Sequence, residues 1–200
     1  MKKILLTGTT SSGKTTLLKS IASSTQNLKF SSKQKVIVIH EYARELLTLH
    51  PELKNDPQLQ DMLFAEHLQR EIKAAEQKPD LIICDRGALD ICAHARWFGL
   101  DIKPEWLSWA QDAYDYVFHL DKTDIAFEVT ELQKKLDPGA DWVSSREELE
   151  QHITWAVQES GLPWRKLSGT VAERREVVQE LYVWPLTGPE GQFYSGKERR

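Results

Sequence analysis

Cysteine is scarce in this 200-residue chain: there are two, Cys84 and Cys92. Two thiols alone build neither a disulfide framework nor a zinc cluster. Cys84 ends the apolar run Leu81-Ile82-Ile83-Cys84, where a buried, reduced thiol is the simplest reading. Long hydrophobic runs are also missing. No window approaches the ~18–20 apolar residues of a membrane span. Ile4-Leu5-Leu6 is too short for a secretory leader and runs straight into glycine. A reduced, cytoplasmic protein is expected, with no membrane partner. Nor does one sign of charge dominate: 26 basic and 30 acidic side chains leave a net charge of −4, mixed along the chain. Strong non-specific binders of nucleic acid carry a basic stripe that this sequence lacks, so nucleic acid is not an expected partner. Repeats and a clear linker are absent too.

What the sequence does have is an alternation of short apolar runs with longer amphipathic segments, the signature of βαβ units and a parallel sheet. Strands are expected at Lys3–Thr7, Val36–Ile39, Leu81–Cys84, Tyr114–Leu120 and Trp164–Leu167, giving an α/β fold with a five-stranded, mostly parallel sheet. Val36–Ile39 is β-branched throughout and reads as a strand buried on both faces. Helices are expected over Lys14–Ser23, Glu41–Leu49, Leu89–Trp97, Arg146–Ser160 and Val171–Tyr182. Another starts at Asp56, with Asp56 as N-cap and Pro57 in its first turn. Ser144 or Ser145 is the expected cap of the helix at Arg146, with acidic residues in its first turn. Gln26–Lys35 and Asp121–Ser145 read as polar connections. Residues 1–182 form one expected domain, and 183–200 a mobile tail.

One motif is specific. Gly8-Thr9-Thr10-Ser11-Ser12-Gly13-Lys14-Thr15 satisfies G-x-x-x-x-G-K-[ST] at every fixed position, with an apolar strand before it and an amphipathic helix after it. Glycines allow the backbone to aim successive N–H groups inward as a nest for an anion. The helix starting near Lys14 adds its positive dipole end. Lys14 then reaches the β- and γ-phosphates of ATP, or of GTP, and the Thr15 hydroxyl ligates Mg²⁺.

Two carboxylates stand where a second set of groups is needed. Asp85 follows the strand Leu81–Cys84 directly, at the carboxyl rim where open α/β sheets bind ligands, and is the expected Mg²⁺ partner of Thr15. Arg86 beside it suits a phosphate clamp that stabilises transferring charge. Glu41 follows Val36–His40 in the same way. It is placed to hold or deprotonate an acceptor hydroxyl in line with the γ-phosphate. The plainer alternative is a surface ion pair between Glu41 and Arg44. His40 reads as a packed neighbour. Among the seven tryptophans, Trp97, Trp106 and Trp109 are candidates to stack on an aromatic acceptor, although packing is the commoner use of such residues.

With these pieces in order, the chain resembles the ribosylnicotinamide-kinase-like P-loop family, related to the kinase domain of the bacterial NAD-biosynthesis regulator. The resemblance rests on Gly8 to Thr16, His40-Glu41-Tyr42-Ala43-Arg44-Glu45, Cys84-Asp85-Arg86-Gly87-Ala88-Leu89-Asp90, Tyr114 to Asp121, and Leu167-Ser168-Gly169-Thr170 with Glu173-Arg174. It implies a three-layer P-loop kinase fold and phosphoryl transfer from ATP to a small acceptor, often a ribosyl hydroxyl. It also implies a helical substrate region between Glu41 and Asp85, a mobile lid after the fourth strand, and Ser168, Gly169 and Thr170 near the adenine. The departure lies in the lid. Such lids offer arginines to the phosphates, whereas Asp121–Ser145 has none, leaving Lys134, Lys135 or Arg146 as substitutes of differing geometric quality.

Other functions compete with a small-molecule kinase. A regulatory ATPase or nucleotide switch is favoured by the missing lid arginines. A polynucleotide end kinase is disfavoured by the acidic balance. Asp121-Lys122-Thr123-Asp124 is a near miss to the guanine-reading Asn-Lys-x-Asp of GTPases, and Gly87 stands one place too early for their Asp-x-x-Gly.

Overall fold

A computed structural model describes residues 1–25, 35–122 and 126–187. The described residues form five strands, four of them apolar runs: β1 (Lys2–Thr7), β2 (Val36–Ile39), β3 (Leu81–Asp85), β4 (Tyr116–Leu120) and the mixed β5 (Trp164–Leu167). They pair in parallel throughout, in the order β2-β3-β1-β4-β5. The order reverses at β1, so the crevice beyond its carboxyl end is where a ligand site is expected.

Among the described residues, eight α-helices and a 3₁₀ turn flank the strands: α1 (Lys14–Thr25), α2 (Tyr42–Leu49), the turn Pro51–Asn55, α3 (Leu59–Glu76), α4 (Ala88–Trp97), α5 (Pro104–Ala113), α6 (Glu131–Leu136), α7 (Trp142–Ser160) and α8 (Val171–Thr187). Alternation along the strands divides the core into two layers. Ile4, Leu6, Ile83, Phe118 and Leu120 pack with Leu17, Leu18 and Ile21 of α1 and Val178 of α8. Leu5, Ile82, Cys84 and Val117 face the other way, onto Leu63, Leu89, Cys92, Ala110 and Ile153 of α3, α4, α5 and α7. The sheet with helices on both faces is the expected three-layer α/β architecture, and the five strands are those anticipated.

Several local expectations are corrected. β2 is an edge strand, so Val36 to Val38 are only half-buried and not enclosed on both faces. Asp56 does not cap α3. Its carboxylate accepts the Gln58 N–H at 2.7 Å and closes a turn one step earlier, leaving Gln58 at the N-cap position of α3. Glu41 is the N-cap residue of α2 and not its first helical residue.

Further along, the fourth strand starts at Tyr116, because Tyr114 ends α5, a helix the sequence pattern did not announce. Neither Ser144 nor Ser145 caps α7. Asp141 does, accepting the N–H groups of Val143 and Ser144, so the first turn has no acidic residue. A short helix, α6, interrupts the polar connection after β4, with Thr130 and Gln133 closing a capping box. α8 continues past Tyr182 and Pro185 to Thr187. Most of the Gln26–Lys35 connection and the last thirteen positions of the expected tail, 188–200, lie outside the described residues.

Candidate active site

The turn between β1 and α1 has the backbone a phosphate loop requires. Gly8 at φ 142° and Gly13 at φ 89° lie where side chains are rarely accommodated, and Ser11 sits at φ 58°. At Gly8 a Cβ would come within 2.9 Å of the Leu120 carbonyl and of the Ser12 hydroxyl, so the loop and the end of β4 exclude any side chain there. Lys14 is buried, and its ammonium donates to the carbonyls of Gly8 and Thr9, both at 2.8 Å, and to Ser12 Oγ at 3.3 Å. Burial first, then the nearby Arg86, pulls its pKa down to about 7, against the opposing pull of Glu41, Asp85 and Asp90. A phosphate would restore the full charge.

Asp85 ends β3, facing α1. Its Oδ2 is 3.3 Å from the Thr15 hydroxyl, and its buried Oδ1 has no hydrogen-bond partner. Burial, opposed by Lys14 and assisted by Glu41, raises its pKa. An orphaned carboxylate oxygen beside an exposed threonine hydroxyl is an oxygen donor set suited to Mg²⁺. The residues present fit that ion.

Arg86 occupies the left-handed region at φ 68°, and its N–H donates to the Leu6 carbonyl at 3.0 Å. Its guanidinium donates through Nη1 to Asp90 Oδ1 at 2.9 Å, and its Nε is 2.9 Å from Glu41 Oε1. Asp90 is itself buried, accepting Thr7 Oγ1 at 2.9 Å and the Gly87 N–H at 3.1 Å. Burial would raise the Glu41 pKa, but Arg86 and then Lys14, Arg44 and His94 outweigh it and hold the carboxyl below its usual range. Glu41 also lies 3.6 Å from Arg44, so the surface pair coexists with the inward one. His40 is exposed and not packed.

These groups open onto a cavity of about 460 Å³ between the phosphate loop, α2, α3, α4 and the segment carrying α6. Its floor carries Glu41, Asp85, Arg86 and Asp90, and its walls are largely apolar and aromatic. Of the three tryptophans anticipated as stacking partners, Trp97 lines it. Trp106 is buried against Phe64, and Trp109 lies beneath the Lys3 ammonium, both in the core behind. Trp142 and Phe127 line the cavity as well.

One arginine reaches the phosphate loop from beyond the polar connection. Arg146, in the first half of α7, reaches 137 positions back along the chain to donate to Thr9 Oγ1 at 3.2 Å. It also donates to the Ser11 carbonyl at 3.2 Å and the Lys122 carbonyl at 3.4 Å. Its guanidinium lies 4.9 Å from the centre of the Phe127 ring. Lys134 pairs with its helix neighbour Glu131 and is exposed, well suited to solvent and not to the loop.

The sequence also undervalued Arg174. It is 1 % exposed and donates to the carbonyls of Ser12 at 2.7 Å, Gly169 at 2.9 Å and Asp121 at 3.0 Å. Gly169, at φ 86°, precedes Thr170, which caps α8 with Glu173. Gly169 is thus tied to the phosphate loop through Arg174. Thr16 is exposed on α1.

A parallel sheet reversing at β1, with a glycine-rich loop and a buried lysine at that point, defines a P-loop NTPase. The chain belongs to the AAA domain family, whose pattern it matches over residues 3–174. No curated protein sequence matches it significantly. Among solved structures it is similar to thymidylate kinase from Ehrlichia chaffeensis, at 15% identity and a TM-score of 0.61. It is also similar to a deoxyadenosine kinase from M. mycoides with dCMP product and a flexible dCDP bound, at 15% identity and a TM-score of 0.54. Each comparison covers 90% of this chain and 98% of the other. At such identity the likeness is one of fold: an α/β P-loop kinase architecture. No helix among the described residues is long and apolar enough to cross a membrane.

Proposed function

We propose that the protein is a phosphotransferase that moves the γ-phosphoryl group of ATP to a hydroxyl of a small, nucleoside-like acceptor. The observation that carries this reading is the position of Glu41: an ionised carboxylate lining a large, partly open cavity, next to Arg86 and beside the phosphate loop. A nucleotide hydrolase needs room for water, whereas this cavity is large enough for an organic acceptor and walled for one.

Each residue then has a task. The N–H groups of residues 8–16 and the Lys14 ammonium hold the phosphates. Thr15 and Asp85 hold Mg²⁺, which neutralises charge on the β- and γ-oxygens. Glu41 keeps the acceptor hydroxyl in line. With its pKa depressed it is a weak base, which suits a loose transition state in which the proton leaves late. Arg86 faces the transferring group, its charge fixed by Glu41 and Asp90. Arg146 supplies the second guanidinium from the α7 side, the bidentate geometry that a lysine lacks. That contact counts against the regulatory ATPase reading.

The acceptor class follows from the walls. Gln60 is 4 % exposed and lines the cavity, and its Oε1 has no partner. An orphaned amide oxygen in a buried wall calls for a ligand N–H. Burial, then Arg86, lowers the pKa of His94, and its Nδ1 contacts the Asp90 carbonyl at 2.7 Å. With Trp97, Phe127 and Trp142 around them, these groups suit a planar ring bearing an amino or carboxamide N–H and carried on a ribosyl hydroxyl. The resemblance to ribosylnicotinamide-kinase-like proteins agrees with this.

The test is incubation with γ-labelled ATP, Mg²⁺ and a panel of nucleosides and pyridine ribosides. A labelled acceptor is expected. ATP turnover without any phosphorylated acceptor would leave the ATPase reading in its place.

A further inference from the structure

Behind the Arg86 turn, on the side away from the phosphate loop, lies a buried polar cluster that the proposed chemistry does not use. Glu71 of α3 is fully buried. It takes an ammonium hydrogen from Lys3, the phenol hydrogen of Tyr114 at 2.7 Å, and lies 2.6 Å from His67 Nε2. Cys84 Sγ stands 3.9 Å away. His67, Glu71 and Cys84 are close enough to suggest a metal site. The ammonium already on the carboxylate and the protonated thiol, kept so by burial, argue against one. The cluster is a hydrogen-bonded post, and its outer end is the Tyr114 hydroxyl.

That hydroxyl is pressed against the turn that carries Arg86. It accepts the N–H of Ala88, the first residue of α4, at 3.2 Å. A Cβ on Gly87 would lie 2.2 Å from the same oxygen, so glycine is required there by the phenol and not by its extended backbone. Immediately before it, Arg86 holds φ 68°. An ordinary side chain persists in that region only when its surroundings over-determine it. In front, Leu6, Glu41 and Asp90 hold Arg86; behind, the Tyr114 hydroxyl meets both Gly87 and Ala88.

We infer that Tyr114, anchored by Glu71, is a positioning residue that fixes the strained Arg86 turn and so aims the guanidinium at the transferring phosphoryl group. This rests on the proposed phosphotransfer. The phenol never meets ATP or acceptor. Its effect passes through Arg86 and belongs to the transition state, where charge develops, and not to ground-state nucleotide binding. Glu71 keeps the phenol proton pointed inward, leaving the oxygen lone pair for the Ala88 N–H. Lys3 and His67 make the carboxylate affordable in the core.

A double-mutant cycle separates this from simple packing. The probes are Mg-ADP and Mg-ADP with aluminium fluoride, a mimic of the phosphoryl group in flight, each titrated calorimetrically into the full-length protein. Tyr114→Phe is expected to leave Mg-ADP affinity within ~3-fold and to weaken the fluoroaluminate complex by ~10-fold or more. Arg86→Ala loses that gain by itself, and adding Tyr114→Phe to it changes the complex by less than ~2-fold. Equal losses in both backgrounds would make Tyr114 merely structural and overturn the inference. If Tyr114→Phe does not fold, Glu71→Gln, which preserves shape, enters the same cycle with the same expectation. Absence of Mg-ADP binding by the unaltered protein would instead defeat the proposed function. Mg-ADP binding with no tightening by fluoroaluminate would count against the aimed Arg86 alone.

Discussion

Arg86 Nε lies 2.9 Å from Glu41 Oε1, yet its N–H is not aligned for a hydrogen bond to any acceptor. The two residues lie just beyond the carboxyl ends of the neighbouring strands β2 and β3, at matching places in their parallel register, which brings them together. The contact is one of charge, and it leaves the Glu41 oxygens available to a hydroxyl.

Glu41→Gln keeps the shape of that side chain and removes its charge. Phosphoryl transfer should fall by about 10²–10⁴-fold, while ATP affinity changes by less than ~3-fold. Steady-state kinetics beside equilibrium titration decides it; equal losses in both would contradict the assigned role.

Lys14 gives a pH signature. Its unliganded pKa of about 7 leaves it mostly neutral at pH 8, and phosphate raises that pKa. Nucleotide binding should therefore take up about one proton at pH 8 and almost none at pH 6. Calorimetry in buffers of different ionisation heat reads this directly. Lys14→Ala should lose nucleotide binding with the fold intact. On stability the sign is opposite to that of a paired lysine. Between pH 7 and 10.5 the unfolded chain holds a proton that the folded one lacks, so this group's contribution improves as pH rises.

Arg146→Ala should slow transfer by about 10–10³-fold, and Arg146→Lys should recover little of it, because an ammonium cannot contact Thr9, Ser11 and the phosphates together. Recovery by lysine to within ~3-fold would deny the guanidinium any special part.

Arg174→Met removes the donor shared by Ser12, Gly169 and Asp121. Three carbonyls left short in a buried site should cost about 3 kcal/mol, lowering Tm by roughly 6–12 °C. A thermal melt measures it. Nucleotide affinity should weaken with it, since the same arginine braces the phosphate loop.

Glu71 ties stability to acid. Burial would raise its pKa, but His67 and Lys3 hold it at about 2 against 4.5 for an ordinary glutamate. A depressed carboxylate stabilises the fold fully above the unfolded value and loses that contribution as pH falls from 4.5 through 2. The loss should be about 3 kcal/mol. Glu71→Gln should flatten that part of the stability curve in denaturant titrations at each pH, whatever its effect at pH 7.

The strands β1 to β4 were legible in the sequence because parallel strands are continuous and apolar, and the phosphate loop because its glycines serve a local backbone conformation. The elements it concealed are those whose signals are short or mixed. α5 hides its apolar face among Trp106, Leu107 and Ala110 within a charged stretch, and α6 has only six residues and no buried side chain. β2 read as fully enclosed because its β-branched composition cannot reveal that it stands at an edge.

By itself, then, the order of residues determined the phosphate nest, since Gly8 to Thr15 is contiguous and its geometry is set by neighbours along the chain. It also marked Asp85 and Glu41, because residues at or just past the carboxyl end of a strand stand at the rim. Only the folded chain decided which distant groups converge there. Arg146 reaches the phosphate loop from 137 positions away, Arg174 braces the loop from the last helix, and Gln60 and Tyr114 stand around the cavity and behind it. Side-chain reach across packed elements has no period in sequence. It is fixed by strand order and helix rotation, which are properties of the whole chain.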